Sequence, residues 1–446
     1  MTAHSRFRFR SADALRDEVR RLGLDIPYQD DISVLLGKAP LAGRELPNRL
    51  AVLPMEGADA DAAGGPSEST RRRYRRYGSG GAGLIWCEAT AVRTDGRSNP
   101  AQLMLTEGTI GGFARLVEET RAAARKIWGP LHSPLLVLQL THSGRFAKPE
   151  GTPRPLIVQN NPHLNPLHDL PPDTPLVSDD ELAAIRDDFV EAADLAASAG
   201  FDGVDVKACH GYLVSETLGA HSREDSRYGG PFENRTRLLL EIVRHVREEA
   251  PGLLVTSRLS ASDTVPFPYG FGMDPDEPEK IDLTEPKALV GLLAKGGVRF
   301  LALSLGIPAW KPYVGRPFDE PVPGGEIPGE HPLEGVARHL HVATEIQRSA
   351  PGTAIVGAGY SWLRAFGPGV AAAMVGAGRG SALGLGRGAL AYPDFAADLL
   401  KQGRLDPGKV CTTCSLCSYL LRWQKRVGCV VRDPEFKNAV PERRNA

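Results

Sequence analysis

The segment SDDELAAIRDDFVEAADLAASAGFDGVDVKACHGYL (178–213) decides how the whole chain is read. Ser178 and Glu181 form a capping-box pattern, Leu182, Ile185, Phe189, Ala193 and Ala196 recur on one helical face, and Gly200 stands where a helix stops. A strand follows at once, with Val204 and Val206 alternating with Asp205 and Lys207. Helix leading into strand, with a short turn between, is the unit of a parallel sheet.

Working outward, the unit repeats for about 350 residues, the scale of an α/β barrel with insertions. Short apolar runs predict strands at 49–55, 83–89, 135–142, 203–208, 253–260, 300–306, 353–359 and 381–387. Eight such strands separated by helical spacing predict an α/β fold, a closed (β/α)8 TIM barrel rather than an open sheet. Residues 1–48 read as an N-terminal extension carrying a short helix at 14–22, residues 49–400 as the barrel, and residues 401–446 as a short C-terminal Cys-rich segment packed on it.

Polar side chains stand near the C-terminal strand ends: Glu56, Glu88, Gln139, Lys207, Arg258 and Ser304. If the valines of the fourth strand face the helices, Asp205 and Lys207 point inward. Charged groups there are costly unless paired or bound to a ligand, and the top face is where barrel enzymes act. The alternative is an internal salt-bridge network, with Lys207 paired to Asp205 or Glu56. Two long Pro/Gly-rich connections, 146–177 and 307–334, both follow strands and are expected to wall a substrate cavity. Gly357, Gly359, Gly386 and Arg387 lie in the turns after the last two strands, where barrels bind phosphate. The run RRRYRR (71–76) reads as a solvated helix face.

The chain has 446 residues, with 53 Lys+Arg and 54 Asp+Glu, a formal net charge of -1. That balance argues against a nucleic-acid partner. No apolar run reaches the length of a bilayer span and MTAHSRFRFR has no signal-peptide core, so no membrane partner and a cytoplasmic protein are expected. Six cysteines exclude a disulfide scaffold. Four of them, Cys411, Cys414, Cys417 and Cys429, crowd into the last 36 residues. Three thiols on one turn and a distant fourth fit an iron–sulfur cluster better than zinc, which more often uses two separated pairs; free thiols are the third reading.

The motifs NRLAVLPM (48–55), GGAGLIWCEATAV-x-x-x-GR (80–97), QL-x-HSGR (139–145), GFDGVDVKACHGYL (200–213), RED-x-RYGGPFENRTR (223–237), SRLSASD (257–263) and GLGR (384–387), in this order, resemble the old yellow enzyme family of FMN-dependent NADH:flavin oxidoreductases. The resemblance implies an FMN site at the top of the barrel. Pro54, Met55, Glu56 and Ala89 would border the flavin ring, Gln139 and Arg258 its polar edge, and Gly357, Gly359, Gly386 and Arg387 its phosphate. It also implies reduction of an activated C=C bond, with hydride from flavin N5, a proton from Tyr212, and the substrate oxygen held by His210 and Lys207. Lysine departs from the usual histidine, and Glu56 from the usual Cys or Thr; Glu56 is expected to perturb the flavin potential unless it is protonated or paired with Lys207.

On the cysteine run the chain resembles most the family branch of 2,4-dienoyl-CoA reductase and trimethylamine dehydrogenase. That implies a [4Fe–4S] cluster relaying electrons. Those relatives continue into a second nucleotide-binding region, so the expected partners are an unsaturated small molecule and an external donor: NAD(P)H, ferredoxin or a separate flavoprotein. A homo-oligomer is compatible with all of this. The competing reading is an amine dehydrogenase or N-demethylase passing electrons outward through the cluster. A binding protein without turnover and a metal-dependent hydrolase fit the strand-end residues less well.

Overall fold

The computed structural model describes residues 3–440. The ends of the predicted N-terminal extension and Cys-rich segment, 1–2 and 441–446, lie outside the described residues. A small antiparallel hairpin, β1 (Ala39–Leu41) and β2 (Arg44–Leu46), precedes eight parallel strands. These are β3 (Leu50–Val52), β4 (Leu84–Ala91), β5 (Leu135–Thr141), β6 (Gly203–Val206), β7 (Leu254–Ser260), β8 (Phe300–Ser304), β9 (Ala354–Gly357) and β10 (Ala382–Leu385). Each pairs with its sequence neighbour and β10 returns to β3, with Leu383 opposite Leu50 and Leu385 opposite Val52, closing the barrel. All eight predicted strands are present, each within the run read for it or one to two residues beyond it.

The helix Asp179–Ser198 forms as its pattern dictates. Ser178 Oγ accepts the Glu181 N–H, and Leu182, Ile185, Phe189, Ala193 and Ala196 are buried. Val204 and Val206 belong to the same core layer between helices and barrel, whereas Asp205 points inside. A second apolar cluster fills the barrel's lower half: Ala51, Leu84, Trp86, Leu135, Val137, Phe300, Ala302 and Val356. Leu41 and Leu46 of the hairpin join it and stopper the bottom. Each fully buried side chain of this size contributes roughly 1.5–3 kcal/mol relative to exposure. The floor is therefore mostly apolar, and the cluster of polar side chains is left to the upper end.

Residues before the barrel share its core. The helix Ala12–Arg21, capped by Ser11, buries Leu15 and Val19 in the same layer as the barrel helices. The RRRYRR run lies on the helix Glu68–Ser79, but it is not a solvated face throughout. Arg73 is buried between Asp59, at 2.8 Å, and Glu88. Arg72 and Arg76 grip Asp433, tying the C-terminal segment to the barrel wall.

Candidate active site

The interior alternation of β5, β6 and β7 builds the lower edge of the site. Asp205 Oδ2 accepts from Trp86 Nε1 at 2.8 Å and from Gln139 Nε2 at 2.6 Å, and Oδ1 accepts the Arg258 backbone N–H at 2.6 Å. Burial pushes the Asp205 carboxyl up to about 6, and its three donors oppose that rise. A fully desolvated carboxylate thus locks the amide of Gln139 and the backbone of Arg258 in place. Arg258 Nη1 donates to Pro54 O at 3.3 Å, while its Nε is buried with no partner.

Above this edge lies a cavity of about 320 Å³. Pro54, Met55, Glu56, Gln139, Lys207, His210, Tyr212, Arg258, Gly359, Gly386 and Arg387 all line it, so eleven of the thirteen catalytic and flavin-site residues predicted from sequence meet in one space. Ala89 and Gly357 do not reach it. Ala89 is buried in β4, where its carbonyl accepts from Gln102, and Gly357 packs under the Tyr360 ring. Glu88 is also turned away. A register irregularity between Cys87 and Thr90 re-aims it outward, to Arg73, Tyr74 and the Gly57 N–H.

The polar cluster is tightly knit. Tyr212 Oη donates to Glu56 Oε1 at 2.9 Å, and Lys207 Nζ lies 3.4 Å from the same oxygen. Ser98 Oγ donates to Glu56 Oε2 at 2.9 Å. Lys207 Nζ also sits 3.4 Å from the centre of the Tyr212 ring, a cation–π contact. The ion pair of Lys207 is with Glu56, not Asp205. Burial lowers the Lys207 amine, and Glu56 opposes the shift. Burial and then Glu56 raise the Tyr212 phenol well above its ordinary value, so it is held protonated. His210 occupies a left-handed conformation, φ 67°, which turns its ring inward to within 3.0 Å of Ser304 Oγ. Burial, with Arg258, Lys207 and Arg316 nearby, drives its pKa well down, so the imidazole is neutral.

Sequence reading missed Arg316 and Arg422. Arg316 comes from the 307–334 connection, and Arg422 ends the helix Leu416–Arg422. Their positions carry no periodic signal. With Lys207, Arg258 and Arg387 they make five cationic side chains against one carboxylate, Glu56, around the cavity. Burial and the neighbouring Arg387 hold Arg316 down to about 9, still charged at neutral pH. Arg387 Nη2 donates to Pro317 O at 2.9 Å, but its Nη1 and the Arg316 Nε are buried without partners. Phe146, from the start of the other long connection, packs 5.7 Å from the Tyr212 ring.

A buried cationic end beside φ-permissive Gly359 (φ 87°), with unpartnered donors on Arg258, Arg316 and Arg387, fits a large anionic ligand such as a flavin mononucleotide. Residues 41–274 match the model of the NADH:flavin oxidoreductase / NADH oxidase family, and the chain belongs to that family of oxidoreductases. It is 29% identical over 248 residues to an NADH:flavin oxidoreductase of Gibberella zeae, spanning 51% of this chain and 56% of that one. It is 33% identical over 238 residues to an NADPH dehydrogenase of Clostridium acetobutylicum, spanning 52% and 64%. The chain thus spans a little over half the length of these curated relatives. The structure of a 2-naphthoyl-CoA reductase superposes with a TM-score of 0.69 at 19% identity, covering 92% of this chain and 58% of that one, a likeness of fold.

The placement in the iron–sulfur branch is corrected. Cys411, Cys414, Cys417 and Cys429 do face one small cavity, but it measures about 20 Å³, room for about one water. Burial raises the Cys411 thiol to about 12 and raises Cys429 as well, which favours the protonated form at both. Among the described residues no group of three or more His, Cys, Asp or Glu side chains is arranged to hold a metal ion. Spacing had placed the cysteines together; it does not set the room between them. Also among the described residues, no helix is long and apolar enough to cross a membrane.

Proposed function

We propose that this protein is an FMN-dependent oxidoreductase that reduces an activated C=C bond, of the α,β-unsaturated carbonyl type, with electrons from an external donor such as NADH or NADPH. The single observation that carries the reading is the meeting of Gln139, Lys207, His210, Tyr212, Arg258 and Arg387 around one cavity, where Arg258 Nε, Arg316 Nε and Arg387 Nη1 are buried without partners. Residues 49–400 serve as the mononucleotide-binding barrel, with 3–48 as an extension before it and 401–440 as a segment packed on it. Pro54, Met55 and Gln139 would border the flavin ring, with Arg258 at its electron-accepting edge. Gly359, Gly386 and Arg387, joined by Arg316, would hold its phosphate. The chemistry a bound flavin supplies is hydride transfer between the donor and an electron-poor carbon.

The chain's own residues do the rest. Arg258 presents a positive charge where negative charge accumulates; Asp205 holds its backbone N–H and the Pro54 carbonyl accepts from its guanidinium. His210, neutral, donates an N–H, and Lys207 a charge-assisted hydrogen bond, to the substrate's carbonyl oxygen; this polarises the alkene. Tyr212 delivers the proton to the α-carbon. Leu421 and Pro308 add apolar surface to the cavity wall. Five cations around the cavity oppose an amine substrate, so the amine-oxidising reading is set aside.

The test is to reconstitute the purified protein with FMN under anaerobic conditions, reduce it with NADH or NADPH, and mix it with a cyclic enone. Stoichiometric binding of FMN and reoxidation by the enone support the proposal. A protein that takes up no FMN, or whose reduced form the enone leaves untouched, sinks it.

A further inference from the structure

We infer that Glu56 is the proton source behind Tyr212: its carboxyl reloads the phenol in the same motion in which the phenol protonates the substrate. The inference rests on the alkene-reducing reading above and extends it to a residue beyond the substrate-facing donor.

The geometry poses a difficulty for Tyr212 acting alone. Its one hydroxyl proton is committed to Glu56 Oε1 at 2.9 Å. A phenol whose proton points at a carboxylate cannot offer that proton to a carbon in the cavity. Giving it up would also leave a phenolate beside a carboxylate in a space away from water, where like charges repel strongly. Protonation of Glu56 removes both obstacles. The hydrogen bond reverses, the carboxyl O–H donates to Tyr212 Oη, and the phenolic O–H is free to turn toward the substrate.

One concerted transfer then balances. The Tyr212 O–H bond breaks as a C–H bond forms at the substrate α-carbon, using the electron pair that hydride addition at the β-carbon places there. The Glu56 O–H bond breaks as a new Tyr212 O–H bond forms. Tyr212 ends neutral and Glu56 ends as a carboxylate. Lys207 Nζ, 3.4 Å from Oε1 and over the phenol ring, steadies that carboxylate. The second carboxylate oxygen accepts from Ser98 Oγ at 2.9 Å, and Ser98, half-buried, accepts in turn from Asn99 Nδ2 at 3.1 Å. A hydroxyl both donates and accepts, so Ser98 provides a way for the next proton to reach Glu56 from outside. The charged and titratable groups around the pair are Lys207, Cys209, His210 and Arg258, and Glu56 is the one carboxylate among the residues lining the cavity. The raised pKa of Tyr212 agrees with a phenol that never ionises during turnover.

The experiment compares wild type, Glu56→Gln and Glu56→Asp, each loaded with FMN and pre-reduced, in rapid mixing with a cyclic enone from pH 5 to pH 9. In parallel, the infrared carboxylic-acid C=O band of the same pre-reduced proteins is titrated, with rates and spectra both taken in D2O. The wild-type alkene step should fall about tenfold per pH unit above one ionisation, and a C=O band absent from Glu56→Gln should disappear with the same midpoint. Glu56→Gln, which keeps the shape but carries no acidic proton, should be slower by about 100-fold, in the range of lost general-acid assistance, and flat across that pH limb. Glu56→Asp should keep the limb. If Glu56→Gln retains the wild-type pH profile, or if the band and the rate titrate apart, Glu56 merely positions Tyr212 and the relay is wrong. If the wild type does not reduce the enone at any pH, the alkene reading itself fails and the relay with it.

Discussion

Gln139 and Asp205 are joined by an amide-to-carboxylate hydrogen bond of 2.6 Å inside the barrel, beneath the candidate flavin edge. The carboxylate also holds the Trp86 indole and the Arg258 backbone, so one residue sets three others. Asp205→Ala leaves these donors buried and unpaired, at about 1–3 kcal/mol for each group left unsatisfied. Urea unfolding should show a loss of at least about 3 kcal/mol. FMN affinity, followed by flavin fluorescence, should fall by about tenfold or more as Gln139 and Arg258 lose their bearing. Unchanged affinity would mean that these two side chains do not meet the flavin.

Tyr212→Phe removes the proposed proton donor and little volume. The alkene step should slow by about 10²–10⁴-fold, the usual weight of general acid catalysis. Reduction of the loaded enzyme by NADH or NADPH should change by less than about threefold, since the phenol has no proton to give in that half. Equal losses in both halves, measured by stopped-flow absorbance, would contradict the assigned role.

Arg387→Gln and Arg316→Gln test the phosphate end. A charge-assisted hydrogen bond contributes about 1.5–3 kcal/mol. Each variant should therefore lose about 10–100-fold in FMN affinity while binding riboflavin, which lacks the phosphate, almost as the wild type does. Equal losses for both ligands would place the two arginines elsewhere.

His339 offers a pH prediction. It is buried, with Nε2 3.1 Å from Val314 O, and burial holds its pKa down to about 4 from an ordinary 6.5. The folded state therefore resists a proton that the unfolded chain accepts. The stabilisation is full above about pH 6.5 and is lost as pH falls toward 4, by up to about 3 kcal/mol at 1.36 kcal/mol per pKa unit. Thermal melts from pH 7.5 to pH 4 should show this decline, and His339→Gln should flatten that part of it. An identical acid limb in the variant would assign the decline to other groups.

The barrel was legible because its period changes are sharp: helix 179–198 and strand 203–206 each bury the side chains their spacing selects. Most of the site was legible through motifs at strand ends. The hairpin that stoppers the barrel was not. Its strands are three residues long and turn through Ala42 and Gly43, without the Asn-Gly or Asp-Gly pair that marks such turns. Glu88 was misplaced because a strand irregularity reverses alternation, and no local residue announces it. Arg73 was hidden within a run of like charges, although its two buried carboxylates lie 14 and 15 residues away along the chain. Arg316 reaches the cavity from an irregular connection and Arg422 from the last residue of a short helix, where position depends on tertiary contacts and not on spacing.

The helix Leu416–Arg422 roofs the chamber with Ser418, Leu421 and Arg422, while Asp433 beyond it is anchored by Arg72 and Arg76 outside the barrel wall. Shortening or tagging the chain near that helix is therefore not a neutral cloning choice. It removes the tie that Arg72 and Arg76 make to Asp433 and so loosens one wall of the cavity.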